Sequence, residues 1–413
     1  VAQMTEELAQ CPALERLIVV DPSVDGRVAV TTHQWSRIGA QDEPAVDDRG
    51  IDLDVAAILY TSGSTGNPKG VVLSHRNLIV GAESVSSYLG NSADDVILAL
   101  LPLSFDAGFS QLTTAFAVGA HVVLHNYTIA ADVVRLCAKH GVTGLTCVPP
   151  LWIQLAARRW PAEAATSVRY FANTGGRMPR STLDELRQHF PDALPYLMYG
   201  LTEAFRSTYL PPDQVNVRPE SMGKAIPNAD ILVVNERGQT CGPHEPGELV
   251  HRGALVAMGY WNDPEKTAER FKPAPGRAPE IPVTELAVWS GDQVMRDEEG
   301  YLYFISRKDD MIKTSGYRVS PNEVEEVVYA SNLVAGTAAL GLPHATLGQA
   351  ILLVATHADN APAGEALEAA LLAHCRRELP NFMVPLAIVA RDALPHNQNG
   401  KIDRRALADE YQA

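Results

Sequence analysis

The sequence predicts an α/β protein: a large domain built on a helix-flanked sheet, then a β-rich unit, then a smaller mixed α+β domain. Three observations carry this. Between Asp54 and Met198, short apolar runs alternate with longer stretches of helical periodicity. From Ser221 to Ile305 the texture changes to brief β-type runs broken by Gly and Pro. After Arg307, helix and strand patterns resume over roughly a hundred residues, enough for a separate domain.

In chain order, Leu17 to Asp21 reads as a buried strand with a polar end, and the chain opens at Val1 as if an α/β unit were already under way. The sequence is therefore expected to be a piece of a longer protein. Ala56 to Tyr60, Val96 to Leu101, His121 to Leu124, Leu145 to Val148 and Val168 to Ala172 have the length and branching of strands. Helices are expected between them at Arg76 to Leu89, Ile129 to His140, Leu151 to Arg159 and Arg180 to His189. Ile231 to Val234, Glu248 to His251 and Tyr301 to Phe304 supply the β-rich unit, and the proline-rich Phe271 to Pro282 is expected to be an exposed loop. In the last part, Pro321 to Ala330 and Glu365 to Glu378 read as helices, Ala338 to Gly341 and Ile351 to Thr356 as strands.

Composition narrows the functional classes. At 413 residues and 46% apolar content the chain can bury more than one core. A formal charge of −15 argues against a nucleic-acid or anionic-membrane partner. Cys11, Cys137, Cys147, Cys241 and Cys375 lie far apart, without metal-knuckle or disulfide-framework spacing, and read as thiols of a reducing cytoplasm. No apolar run reaches the length of a membrane span. His75 and His140 are read as structural.

The strongest chemical signal is Tyr60-Thr61-Ser62-Gly63-Ser64-Thr65-Gly66-Asn67-Pro68-Lys69-Gly70, directly after a predicted strand. Its glycines let the backbone approach a ligand closely, its hydroxyls and N–H groups can bond phosphate oxygens, and Lys69 adds a point charge. It is not a Walker A loop, because Lys69 follows Pro68 and precedes Gly70, and it is not a nucleophile elbow.

The loop resembles the signature of the adenylate-forming (AMP-binding) superfamily, which contains acyl-CoA synthetases, adenylation domains of peptide synthetases and firefly-type luciferases. Further motifs follow in that family's order: Tyr199-Gly200-Leu201-Thr202-Glu203-Ala204, Ser290-Gly291-Asp292, Ser306-Arg307-Lys308-Asp309-Asp310 and Asn399-Gly400-Lys401-Ile402-Asp403-Arg404. His396-Asn397-Gln398 stands where relatives often carry another proline.

The resemblance implies a layered α/β adenylate-forming N-terminal domain over residues 1–306, short of roughly its first hundred residues. Within it, 54–200 would hold the ATP loop and acid pocket and 221–306 the β-rich subdomain. Residues 307–413 would form the hinge and a small mobile α+β C-terminal domain. The implied activity is that of an AMP-forming acid–thiol ligase. ATP activates a carboxylic acid as an acyl adenylate with release of pyrophosphate, and the acyl group passes to coenzyme A or to the phosphopantetheine of a separate carrier protein. Two anions meet in the first step, so cations must neutralise the developing charge; Lys69, Lys401 and Mg²⁺ are the candidates. By resemblance Thr202 contacts the α-phosphate, Glu203 binds Mg²⁺, Tyr199 lies against adenine, and Asp292 and Arg307 reach the ribose. Gly175, Gly176 and Arg177 pass beside the nucleotide. Asp309 is the hinge about which the C-terminal domain rotates, presenting Lys401 for adenylation and the face with Lys313, Gly316 and Tyr317 for thioester formation.

The acid pocket is implied at Asp106, Ala107, Ser110, Thr174, Met198 and Arg206. Ser104-Phe105-Asp106-Ala107 is similar to the stretch in which amino-acid-activating members pair an aspartate with the substrate ammonium. An unpaired carboxylate in an apolar pocket is costly, so a cation should meet Asp106. Two readings stay open: Asp106 binds a substrate amino group while Arg206 binds a second carboxylate, or the two side chains pair with each other. An amino-bearing acid and a plain acyl or aryl acid therefore both remain, as does a nucleotide-binding regulatory protein without turnover.

Overall fold

The computed structural model describes residues 8, 10–20, 30–38, 49–61, 68–278, 280–307, 311–314, 317–344, 346–359, 361–397 and 400–412. Contacts divide the chain into two units, Val1–Ile51 and Asp52–Ala413. In the first, strands β1 (Arg16–Val19) and β2 (Thr31–Gln34) form a parallel pair. The expectation of a buried strand here is corrected: Val19 alone of the β1 residues is buried, because the pair is a two-stranded sheet whose Ile18 is left exposed. Asp21 lies outside the described residues.

The second unit is organised by a 12-stranded sheet. Its parallel half comprises β5 (Val96–Ala99), β6 (His121–Leu124), β7 (Gly144–Cys147), β8 (Tyr170–Asn173) and β9 (Leu194–Tyr199), in the order β6-β5-β7-β8-β9. Helices α1 (His75–Leu89), α2 (Asp106–Val118), α3 (Ala130–His140), α4 (Pro149–Ala156), α5 (Ala162–Ser167) and α6 (Arg180–His189) accompany it. Beyond β9 the sheet turns antiparallel through β10 (Thr208–Leu210), β11 (Ser221–Ala225), β17 (Leu302–Arg307), β16 (Leu286–Arg296), β13 (Gly247–Gly253) and β12 (Ala229–Val234). The strand of Ala56 to Tyr60 does not join this sheet. It belongs to β3 (Val55–Thr61), which pairs antiparallel with β4 (Lys69–Ser74), and β4 pairs in turn with β14 (Gly259–Tyr260). Part of the expected proline-rich loop is also strand, since β15 (Phe271–Pro273) pairs with β16.

Local chemistry explains the framing of α1. Ser74 and Asn77 form a reciprocal capping box at its start, Gly90 ends it with φ 60°, and the Asn77 side chain donates to the carbonyls of Ala254 and Val256. One cap thus fastens α1 to the segment before β14. The C-terminal part has its own sheet, in which β18 (Ile312–Thr314), β19 (Tyr317–Val319), β20 (Val334–His344), β21 (Gly348–His357) and β22 (Ala387–Arg391) pair. Helices α8 (Pro321–Ala330), α9 (Glu365–Glu378) and α10 (Arg404–Gln412) pack on it, α7 being Pro264–Arg270. Among the described residues, no helix is long and apolar enough to cross a membrane, and Cys137, Cys147, Cys241 and Cys375 are buried thiols.

Candidate active site

The segment read from the sequence as a phosphate loop begins and ends on the β3–β4 hairpin, whose last paired residues are Thr61 and Lys69. Ser62, Gly63, Ser64, Thr65 and Gly66 lie outside the described residues, as do Asp309 and Gly316. Lys69 sits over the ring of Tyr260, 5.3 Å from its centroid. The Tyr260 hydroxyl donates to Glu203 Oε1 at 2.5 Å, and Arg270 Nε stands 3.8 Å from the same oxygen. Tyr260 and Arg270 were not foreseen from the sequence; both come from the segment around α7, far along the chain. Burial, then the Glu203 carboxylate, holds the Tyr260 phenol far above its ordinary range, so it stays a donor.

At the end of β9, the Tyr199 hydroxyl donates to Asp292 Oδ2 at 2.5 Å, and Arg307 Nε donates to Asp292 Oδ1 at 2.9 Å. Asp292 and Arg307 face each other across β16 and β17, which fixes their spacing by sheet register. Asp292 is buried while the Arg307 side chain is half exposed, so three residues expected around one nucleoside form one connected set.

After Tyr199 the chain makes a short 3₁₀ turn at Thr202–Ala204 and then a strained bend. Phe205 has φ 58° and ψ −56°, and the Arg206 N–H donates back to the Ala204 carbonyl at 2.6 Å. This is a γ-turn of the rare positive-φ kind, held because the Phe205 ring is buried in the core. It turns Arg206 into the space beside α2, where Arg206 Nη1 lies 3.4 Å from Asp106 Oδ2 with both side chains 3% exposed. The structure thus brings the two residues together as a pair. Burial pushes the Asp106 carboxyl up, against the attraction of Arg206 and Lys401.

Lys401 arrives from the far end of the chain. Its turn is closed by hydrogen bonds from the Asn397 N–H to the Lys401 carbonyl and from the Lys401 N–H to Asn397 Oδ1, and Asn399 lies outside the described residues. The ammonium stands 5.5 Å from the Phe105 ring centroid. A β-carbon on Gly175, which has φ 78°, would come 3.0 Å from Lys401 Cε, so the glycine admits the lysine stem. Burial and the neighbouring Arg307 and Arg206 lower the Lys401 pKa, and Asp106 opposes them.

Ala107, Ser110, Met198 and Arg206 line a cavity of about 20 Å³ together with Val85, Leu89, Ile97 and Thr114. Thr174 is buried at the end of β8, where its N–H donates to the Cys147 carbonyl. Gly176 accepts from the Asn173 side chain. Arg177 pairs with Glu220 and with Glu326 of α8, tying the two sheets' surroundings together. Lys313 and Tyr317 lie on the β18–β19 hairpin, and Tyr317 stacks on Phe382 at 4.1 Å.

No group of three or more His, Cys, Asp or Glu that could hold a metal occurs among the described residues. A single buried carboxylate such as Glu203 nevertheless suits Mg²⁺ bound with ATP, because that ion keeps several waters and takes phosphate oxygens.

The chain is 30% identical over 367 residues to a long-chain-fatty-acid–CoA ligase of Escherichia coli O157:H7, covering 87% of this chain and 62% of that protein. It therefore spans less than two thirds of the length of the curated relatives it matches. Among solved structures, ATP-bound MatB from Rhodopseudomonas palustris superposes with a TM-score of 0.81 at 26% identity, over 96% of this chain and 79% of the other. An o-succinylbenzoate CoA synthetase from Bacillus subtilis, in complex with its acyl-adenylate intermediate, superposes at 0.80 with 26% identity, over 97% and 80%. A model of the AMP-binding enzyme C-terminal domain matches residues 323–401. The AMP-binding enzyme model matches residues 2–261, and the chain belongs to that family.

Proposed function

We propose that this protein is an AMP-forming acid–thiol ligase. The observation that carries the reading is the convergence of Lys401 with Gly175, Phe105 and the Asp106–Arg206 pair, beside the Tyr199–Asp292–Arg307 set. In the first step a carboxylate oxygen of the acid bonds to the α-phosphorus of ATP, and the bond to the pyrophosphate oxygen breaks. Lys401 supplies positive charge where the two anions meet, Thr202 contacts the α-phosphate, and Lys69 with the Thr61 to Gly66 segment steadies the outgoing phosphates. Glu203 would hold Mg²⁺, kept in place by Tyr260 and Arg270; the ion neutralises phosphate charge. Asp292 and Arg307 orient the ribose and Tyr199 the adenine. In the second step a thiol sulfur attacks the acyl carbon, AMP leaves, and the thiol proton passes to solvent.

The Asp106–Arg206 pair supports the reading in which the two charges neutralise each other, which favours an acid without an amino group. The thiol belongs to coenzyme A or a separate carrier protein, and a reducing cytoplasm suits the buried thiols. The proposed boundary places residues 1–306 in the large domain and 307–413 in the C-terminal domain, with Asp309 as hinge and Lys313, Gly316 and Tyr317 on the thiol-step face. The test is pyrophosphate exchange. Labelled pyrophosphate should enter ATP only when a suitable carboxylic acid is present, with AMP as the nucleotide product; acid-independent exchange or release of ADP would overturn the reading.

A further inference from the structure

The cavity beneath Arg206 holds unspent hydrogen-bonding capacity. Arg206 Nε and Thr114 Oγ1 are buried without a hydrogen-bond partner, and both residues line the cavity. Arg206 is 2% exposed and Thr114 5%. Apolar Val85, Leu89, Ile97 and Met198 share the wall with Ala107, Ser110, Thr146 and Tyr170. Gln111, which also lines it, is already satisfied by the backbone of Leu98, Leu101 and Thr146. Buried polar groups left unpaired are costly, and two of them around one small apolar-floored space point to a ligand atom that satisfies both.

We infer that the acid activated here is short and carries a neutral oxygen function, hydroxyl or carbonyl, that ends in this cavity and accepts a hydrogen bond from Arg206. The inference rests on the ligase reading and names its substrate class. Size sets the first limit: about 20 Å³ of free space admits one water-sized group, whereas a fatty tail needs room for ~ten or more carbon atoms. Charge sets the second. Arg206 is already paired with Asp106 at 3.4 Å, so these two side chains offset each other at the cavity wall before the substrate's distal end arrives. An ammonium there would meet the guanidinium, and a second carboxylate would leave an excess negative charge beside Asp106. A neutral oxygen accepts from Arg206 Nε, and Thr114 donates to a carbonyl or accepts from a hydroxyl. The residues that form the wall sit at helical spacing, Ser110 and Thr114 following Asp106 along one face of α2.

The experiment is acid-dependent pyrophosphate exchange by the intact protein over matched straight-chain acids of about three to six carbons. Each length is offered with a distal hydroxyl, ketone, methyl, amine or carboxylate, and hexadecanoate is the long-chain control. The hydroxy or keto member should exceed its methyl counterpart in kcat/KM by about a hundredfold, because the methyl analogue leaves the buried donor and acceptor unpaired. Thr114→Val, which keeps the shape and removes the hydroxyl, should lower that ratio about tenfold while ATP affinity, read by calorimetry, stays as in the wild type. Preference for the methyl, amino, dicarboxylic or long-chain acid overturns the inference and leaves the ligase reading standing. Methyl preference in particular would mean that a buried water satisfies Arg206 and Thr114. Exchange with no acid at all removes both. The wild-type panel decides the matter even if the variant does not fold.

Discussion

His251 is a buried side chain outside the reaction that makes the molecule sensitive to acid. Its Nδ1 meets Ser207 Oγ at 2.9 Å, its Nε2 has no partner, and burial lowers its pKa to about 3 from the ordinary 6.5. The folded state therefore keeps His251 neutral where the unfolded chain protonates it. Stability from this group is present above pH 6.5 and falls as pH drops toward about 3, by up to about 1.4 kcal/mol per pH unit. Urea unfolding of the wild type and His251→Leu between pH 7 and pH 4 should show the wild type losing ground to the variant on acidification. Parallel pH curves would contradict the assignment.

At the scale of the element, α2 carries Asp106, Ala107 and Ser110 of the proposed acid pocket and is one of the helices left unassigned in the sequence. Its N-cap is Phe105, which gives no side-chain cap, and Gly108 interrupts its first turn. That glycine is required by close approach: a β-carbon there would lie 2.1 Å from the Pro102 carbonyl oxygen. Gly108→Ala should cost about 3 kcal/mol in chemical denaturation and weaken acid binding more than ATP binding; a neutral effect on both would show that the helix start can shift. In the parallel half, β5 to β8 and helices α1, α3, α4 and α6 were legible because their apolar periods are long and regular, whereas β9 and α5, like α2, were not assigned from the sequence. The helix expected near Arg76 begins at His75, where the Ser74–Asn77 capping box closes its first turn. The β3–β4 hairpin was not legible, because the loop between Thr61 and Lys69 carries chemistry rather than a turn signal. The motif residues Tyr199, Asp292 and Arg307 come together as expected, whereas Tyr260, Arg270 and Thr114 escaped because their roles depend on contacts far along the chain or on helix spacing not assigned.

Across the whole molecule, a lysine in the turn between β22 and α10 comes beside residues of the parallel half of the large sheet. Lys401 lies beside Gly175, Phe105 and Val148-flanked Gly400, and its charge is felt by Asp106. Under the proposed function, this arrangement serves the adenylate-forming step. The thiol step is assigned to the other face of the same segment, so the two steps should depend on Lys401 unequally. The most direct measurement separates the half-reactions of Lys401→Ala. Formation of acyl adenylate from ATP and acid should fall by about two orders of magnitude or more, while thioester formation from supplied acyl adenylate stays near the wild-type rate. Equal loss in both half-reactions, or full adenylate formation by the variant, would contradict the account.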